Sequence, residues 1–241
     1  MSLYLSRLVL DPGSRQVRRD LGDVCQMHRT ILKAFPSEAA PCAFRKQHAV
    51  LYRMEIERSM ERPVVLVQSE TPPDWSFLSG VPDYLLRPPE HKEVGELFNR
   101  IQAGQVFRFR LRANAAKKID TKTGPDGQRR NGRRIPLRTS EDLMVWLSRK
   151  ADQSGFSLVC SGERDAMPDV RIVPEVDARA IRGDAASPGR VITFGGVLFE
   201  GRLQVSDANV FRETLASGIG SGKAYGFGLL SIAPVRAEHR L

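Results

Sequence analysis

The sequence predicts an α+β fold made of two βαββαβ halves in tandem, and three observations carry that expectation. Runs with strand-type alternation and runs with helical spacing follow one another in the same order twice. The chain has 241 residues, enough for two small domains with a core each. Its 41% apolar and 27% charged residues exclude a disordered or fibrous chain.

In the first half, residues 4–10 form a β-rich run that Asp11-Pro12-Gly13 ends. Val24, Met27, Ile31 and Phe35 then recur at helical spacing until Pro36. Residues 44–57 and 63–68 are two strand candidates joined by a charged turn. Residues 73–78 are expected to open a second helix, because Asp74 near its start suits the positive end of the helix dipole. Residues 84–86 close the half as a short strand before Pro88-Pro89. This is the ferredoxin-like plan. It assigns residues 1–90 to a first domain and residues 103–241 to a second, joined through a Pro- and charge-containing connection.

The second half repeats the plan. In Val106–Ala113, VFRFRLRA, one face carries Phe107, Phe109, Leu111 and Ala113, and the other carries Arg108, Arg110 and Arg112. A Gly-rich basic turn follows, and residues 134–137 return as a partner strand. Ser140-Glu141-Asp142 starts a helix through Trp146 to Lys150. Residues 156–160 and 190–205 are strands, 208–216 a helix and 225–233 a final strand, with a poorly patterned insertion over 161–189.

The charge is localised. Lys and Arg total 37 against 28 Asp and Glu, a formal net charge of +9. Eleven of the basic residues lie between Gly104 and Arg138, namely Arg108, Arg110, Arg112, Lys117, Lys118, Lys122, Arg129, Arg130, Arg133, Arg134 and Arg138. Only Asp120 and Asp126 oppose them, so the rest of the chain holds 26 charges of each sign. A charge run is ordinarily a solvated face, but a surplus confined to one segment favours a polyanion. A ferredoxin-like sheet favours RNA over DNA, and without base-stacking aromatics the segment is suited to the backbone of a duplex or hairpin.

No stretch reaches the roughly 20 apolar residues that span a bilayer, and the N-terminus reads as a strand rather than a signal peptide. Cys25, Cys42 and Cys160 are odd in number, far apart and without a CxxC pair, which fits a reducing cytoplasm and no disulfide framework. No HExxH, two-metal carboxylate cluster or His/Cys ligand set appears, so neither metal nor cofactor is expected.

Two segments remain for chemistry. His28 lies about 60° from Cys25 and about 100° from Arg29 on the helical wheel, flanking the stripe of Met27, Ile31 and Phe35. A lone flank histidine is more often a core residue than a catalyst, yet its ordinary pKa suits it to move a proton to or from a ribose hydroxyl. The run Gly218-Ile219-Gly220-Ser221-Gly222-Lys223-Ala224-Tyr225-Gly226-Phe227-Gly228 fails the P-loop pattern twice, having Ser217 where the first Gly belongs and Ala224 after Lys223. It is either an ordinary turn or a loop whose amides approach a phosphate closely.

The start Tyr4-Leu5-Ser6-Arg7-Leu8-Val9-Leu10, the segment Gln26-Met27-His28-Arg29, the strand 107–114, the run Val197-Leu198-Phe199-Glu200-Gly201 and the ending 218–234 together resemble the CasE family, the CRISPR-associated endoribonucleases of type I-E Cascade systems in the RAMP superfamily. The resemblance covers nearly the whole chain. It implies cleavage at the base of a CRISPR repeat RNA stem-loop by 2′-hydroxyl attack, leaving a 2′,3′-cyclic phosphate or 3′-phosphate and a 5′-hydroxyl. It also implies retention on the mature guide RNA beside the other Cascade subunits. The family's catalytic histidine falls on His28, and Lys33 matches a basic position late in the helix. A tyrosine usually stands three residues before that histidine, where this chain has Cys25; with His28 and Lys33 it is the third catalytic candidate, its thiol offering a weak hydrogen bond without a phenol's reach. RNA contacts are expected from Arg29, Arg108, Arg110, Arg112, Lys117, Lys118, Arg129, Arg130, Arg133 and Arg134, and from Gly220, Gly222 and Lys223 of the glycine run. The competing expectations are an RNA-hairpin-binding protein without catalysis and a DNA-binding module.

Overall fold

The computed structural model describes residues 2–36, 48–57, 59–119, 133–162, 167–182 and 190–235. The first half is an antiparallel sheet of β1 (Tyr4–Val9), β2 (Leu51–Glu57), β3 (Arg62–Ser69) and β4 (Glu90–Glu93), in spatial order β2-β3-β1-β4. Leu8 and Met54 both stand opposite Val65. Period-two alternation therefore puts Leu8, Tyr52, Val65 and Val67 on one face, where they bury against Met27 and Ile31. Those two residues come from the second of two consecutive helices, α1 (Arg15–Gly22) and α2 (Val24–Leu32).

Three expectations for this half change. Helix α1 is additional: RQVRRDLG offers little apolar spacing, and it is held through buried Val17 and Asp20. Residues 73–78 do not form an α-helix; a single 3-10 turn, Ser76–Gly80, packs Trp75 and Leu78 into the core after Pro72-Pro73. Residues 84–86 do not close the sheet. Leu85 makes only an isolated bridge to Leu10, and the closing strand is Glu90–Glu93, exposed at every position and so without an apolar signature.

A short helix, α3 (Gly95–Asn99), leads into the second half. There the chain runs β5 (Val106–Ala113), β6 (Ala116–Ile119), β7 (Arg133–Pro136), α4 (Ser140–Gln153), β8 (Phe156–Leu158), β9 (Cys160–Ser161), β10 (Met167–Pro168) and β11 (Val170–Pro174). It continues through β12 (Ala178–Arg182), β13 (Arg190–Phe194), β14 (Val197–Val205), α5 (Ala208–Ser217) and β15 (Leu230–Pro234). The sheet order is β11-β14-β5-β15, with β8 also paired to β14. This is again the ferredoxin-like order, except that the second strand is split into β8 and β11 by the β9–β10 hairpin. The apolar face of β5 buries Phe109, Leu111 and Ala113 under Trp146 and Leu147 of α4 and Phe211 and Leu215 of α5. The expected insertion thus contains strands, and the final strand begins at Leu230 rather than at residue 225. No described helix is long and apolar enough to cross a membrane.

The sheet faces without helices look at each other across a cleft of about 1380 Å³, lined by Arg53, Glu55, Leu66, Arg108, Arg110 and Glu200 among others. Gln68 Nε2 donates to the Leu215 carbonyl at 2.7 Å, and Leu3, Val94 and Ala216 pack together, so both halves share buried contacts.

Candidate active site

Helix α2 is fixed at its start and along its inner face. The Asp23 carboxylate accepts from the Cys25 amide at 2.9 Å, capping the helix. From α1, the fully buried Asp20 carboxylate accepts from Thr30 Oγ1 and Tyr84 Oη, both at 2.7 Å. Burial and this bond to Asp20 push the Tyr84 phenol far above its ordinary range, so it stays a neutral donor. His28 sits half-buried on the helix held this way. The Tyr52 ring lies nearly parallel to its imidazole, with centroids 6.5 Å apart and 15° between planes. Tyr225 meets it edge-on at 6.4 Å and 64°. The single Tyr52 hydroxyl proton points to the Val24 carbonyl at 3.2 Å, with the Ala224 carbonyl at 3.5 Å as a weaker second acceptor. Burial raises that phenol well above its usual pKa despite the nearby Arg112.

Tyr225 comes from the glycine run, which folds as a closed loop after α5. The Ile219 amide donates to the Gly228 carbonyl at 2.9 Å, and the Gly228 amide donates to the Arg112 carbonyl at 2.8 Å. Lys223 Nζ turns back onto the Ser217 carbonyl at 2.7 Å. Gly226 has φ +82, and a Cβ there would meet the Tyr52 ring at 3.0 Å and the Arg112 guanidinium at 3.4 Å. Only glycine lets the loop settle this closely on Tyr52 without strain. Gly220 and Gly222 stay half-exposed in the same loop.

A third element completes the surround. In β12, Ala180 is fully buried against Val24 and Cys25, and the Ile181 amide reaches the capping Asp23 carboxylate at 3.3 Å. Phe194 at the end of β13 packs on Tyr225, with ring centroids 4.7 Å apart. Cys25 is thereby enclosed in an apolar cluster at 8% exposure. Lys33 is exposed at the C-cap, five residues beyond His28 and about 140° further round the helix axis, and Arg29 is exposed beside His28. The geometry therefore gathers His28 with the glycine loop but sets Lys33 on another side of the helix. Sequence reading missed Tyr52, Tyr225, Phe194 and Asp20. A tyrosine in core phase on a strand and another inside a glycine run were the only signals.

The basic residues divide into two groups. Arg110 pairs with Glu55 at 3.1 Å and Glu200 at 2.5 Å, and although burial opposes it, the bonds to these carboxylates hold its pKa above the ordinary arginine value. Arg112 pairs with Glu175 at 2.5 Å and stacks over Phe227 at 4.5 Å. Two of the three guanidinium groups expected to meet RNA from β5 are thus engaged, in this structure, by acids from distant parts of the chain. Arg108 is exposed, as are Lys117 and Lys118 on β6 and Arg134 on β7. Arg133 lies at the start of β7, while Arg129 and Arg130 fall outside the described residues.

Comparison with known proteins identifies the family. The model of a family described as CRISPR associated protein matches residues 3–234. The CRISPR-associated endoribonuclease Cse3 of Thermus thermophilus is 38% identical over 96% of this chain and 100% of its own length. The CRISPR system Cascade subunit CasE of Escherichia coli is 30% identical over 97% of this chain and 100% of its own. The structure of a CRISPR endoribonuclease Cse3 bound to 19 nt RNA superposes with a TM-score of 0.74, at 38% identity, covering 97% of this chain and all of that one. With both ferredoxin-like halves and almost every residue matched, the chain belongs to the CRISPR-associated protein family that includes the Cse3 and CasE proteins.

Proposed function

We propose that this chain is a cytoplasmic, metal-independent endoribonuclease that cuts CRISPR repeat RNA at the base of its stem-loop and stays on the mature guide RNA as a Cascade subunit. The relatives' names supply the reaction class, and one observation carries the assignment of residues. His28 stands half-buried where α2 meets the glycine loop, with a tyrosine ring on each of two sides. Such a histidine is accessible to substrate yet restrained in orientation, as a proton-transfer group must be.

The nucleophile is the RNA's own 2′-hydroxyl. Its oxygen attacks the adjacent phosphorus, the bond from phosphorus to the 5′-oxygen breaks, and the departing 5′-oxygen takes up a proton. The proton lost from the 2′-hydroxyl balances the one gained, so a 2′,3′-cyclic phosphate and a 5′-hydroxyl form without consuming water. Subsequent addition of water to the cyclic ester gives a 3′-phosphate. His28 serves one of the two proton transfers. Amides of the loop at Gly220 and Gly222 face the charge that grows on phosphate, while Arg29 and Lys33 add positive field along the helix rather than a contact to the reacting group. The exposed Arg108, Lys117, Lys118 and Arg134 grip the stem backbone, with Lys223 at the loop. Cys25, closed into its apolar cluster, packs the helix.

The test is incubation with a repeat hairpin RNA in EDTA. The wild-type chain is expected to cut at one site, and His28→Ala to bind equally but cleave at least about 100-fold more slowly. Loss of activity on chelation would overturn the metal-free mechanism. Binding without any cleavage would instead favour an RNA-binding protein with no catalysis.

A further inference from the structure

The second ring against His28 has a position that its neighbours define closely. Tyr225 ends a 3-10 turn, Lys223–Tyr225, flanked by Gly222 at φ 78 and Gly226 at φ 82, both left-handed. Its amide donates to the Gly222 carbonyl at 2.8 Å. Phe194 lies against its ring, and the ring packs on the cluster of Val24, Cys25 and Ala180 at the start of α2. Two tyrosines thus flank His28, but they differ in what their hydroxyls can do. Tyr52 is fully buried with its proton directed at backbone carbonyls. Tyr225 is half-exposed, and no described residue hydrogen-bonds its hydroxyl.

We propose that Tyr225 is a second catalytic residue of this site, whose phenol donates a hydrogen bond to a non-bridging oxygen of the scissile phosphate while His28 moves a proton. The proposal rests on the endoribonuclease reading. The centroid separation of 6.4 Å and the edge-on approach leave room for one phosphate to meet both side chains. The phosphate gains negative charge as the 2′-oxygen adds, so a donor held beside it is bound more strongly in the transition state than in the ground state. A phenol supplies that donor at neutral pH without adding a cation that would suppress protonation of His28. Cys25, on the same helix face, is buried and too short to do so.

Single-turnover cleavage of a repeat hairpin RNA by the full-length chain tests this, with wild type, His28→Ala and Tyr225→Phe compared side by side. Dissociation constants are measured on the same hairpin carrying a 2′-deoxy block at the cleavage site. Phenylalanine keeps the ring packing, so Tyr225→Phe is expected to cut about 100-fold more slowly with affinity changed less than about twofold. Replacing one non-bridging oxygen by sulfur, a poor acceptor, should slow the wild-type chain for one diastereomer and leave Tyr225→Phe indifferent. Wild-type rates from Tyr225→Phe, or an equal sulfur effect in both proteins, would overturn the proposal and reduce Tyr225 to a prop for the imidazole. If wild type fails to cut, it is the endoribonuclease reading itself that falls; if His28→Ala cuts normally, the assignment of the proton transfer to His28 falls, and the Tyr225 proposal with it.

Discussion

A buried guanidinium needs both an opposite charge and acceptors for its five N–H groups, and Arg53 obtains them from both halves of the chain. It is 2% exposed, pairs with Glu55 at 2.7 Å, and donates to the carbonyls of Arg110 at 3.2 Å and Leu229 at 3.1 Å. Burial depresses its pKa, with Glu55 opposing that shift. Burial by itself would raise the Glu55 carboxyl, but Arg53 and the bonds from Arg110 outweigh it and hold the carboxyl below its ordinary value of 4.5. The sign of the pH dependence follows. A carboxyl with a depressed folded pKa adds stability that is complete above the unfolded value and disappears as pH falls from there through the folded value. Glu55→Gln is therefore expected to cost about 1 to 3 kcal/mol at neutral pH, towards the lower figure because the carboxylate is partly solvated. The gap from wild type should narrow as pH drops below the ordinary glutamate range. Urea unfolding of both proteins across that range checks it, and a gap independent of pH would rule the charge out as its source.

At the scale of elements, α2 is held by Asp23 as well as by its own apolar stripe. One carboxylate oxygen caps the helix through the Cys25 amide and also receives the Ile181 amide from β12, so it ties the helix to a hairpin of the other half. Asp23→Ala is expected to lower stability by about 1 to 2 kcal/mol and to slow cleavage at saturating RNA, because His28 lies only one turn beyond the loosened cap. Thermal melting and single-turnover rates measure both, and an unchanged melting temperature would remove Asp23 from this role. The stripe of Met27 and Ile31 was readable because helix and core share its period. Asp23 was readable as a cap only in retrospect, since a neighbouring helix immediately precedes it. Of the β12–β13 hairpin, β13 falls within the strand expected over 190–205, whereas β12 was not readable. Ala180, Ile192 and Phe194 make an apolar pattern only against α2, and that contact is set by tertiary packing. Glu90–Glu93 failed for the opposite reason: as an edge strand with every side chain exposed, it has no apolar face to betray it.

Across the whole molecule, the arithmetic of charge located a basic segment but not which of its residues are available. Counting along the chain treats residues 104–138 as isolated, whereas folding brings Glu55, Glu175 and Glu200 onto two of its arginines. What stays open to solvent includes the β6–β7 ladder, where Lys118 stands directly opposite Arg134. A polyanion laid along this exposed basic ladder is attracted by it. Salt separates the two groups. Each phosphate neutralised by a protein cation adds about 0.7 to 0.9 to the slope of log affinity against log salt. Replacing Lys117 and Arg134 together by alanine should therefore lower that slope by about 1.4 to 1.8 for a repeat hairpin titrated between about 50 and 200 mM salt. Arg110→Ala should leave the slope unchanged and lower the melting temperature instead, because its charge is spent on Glu55 and Glu200 at the junction of the two sheets. A slope that falls for Arg110→Ala and holds for the hairpin pair would move the RNA track from the β6–β7 hairpin into the cleft between the two halves.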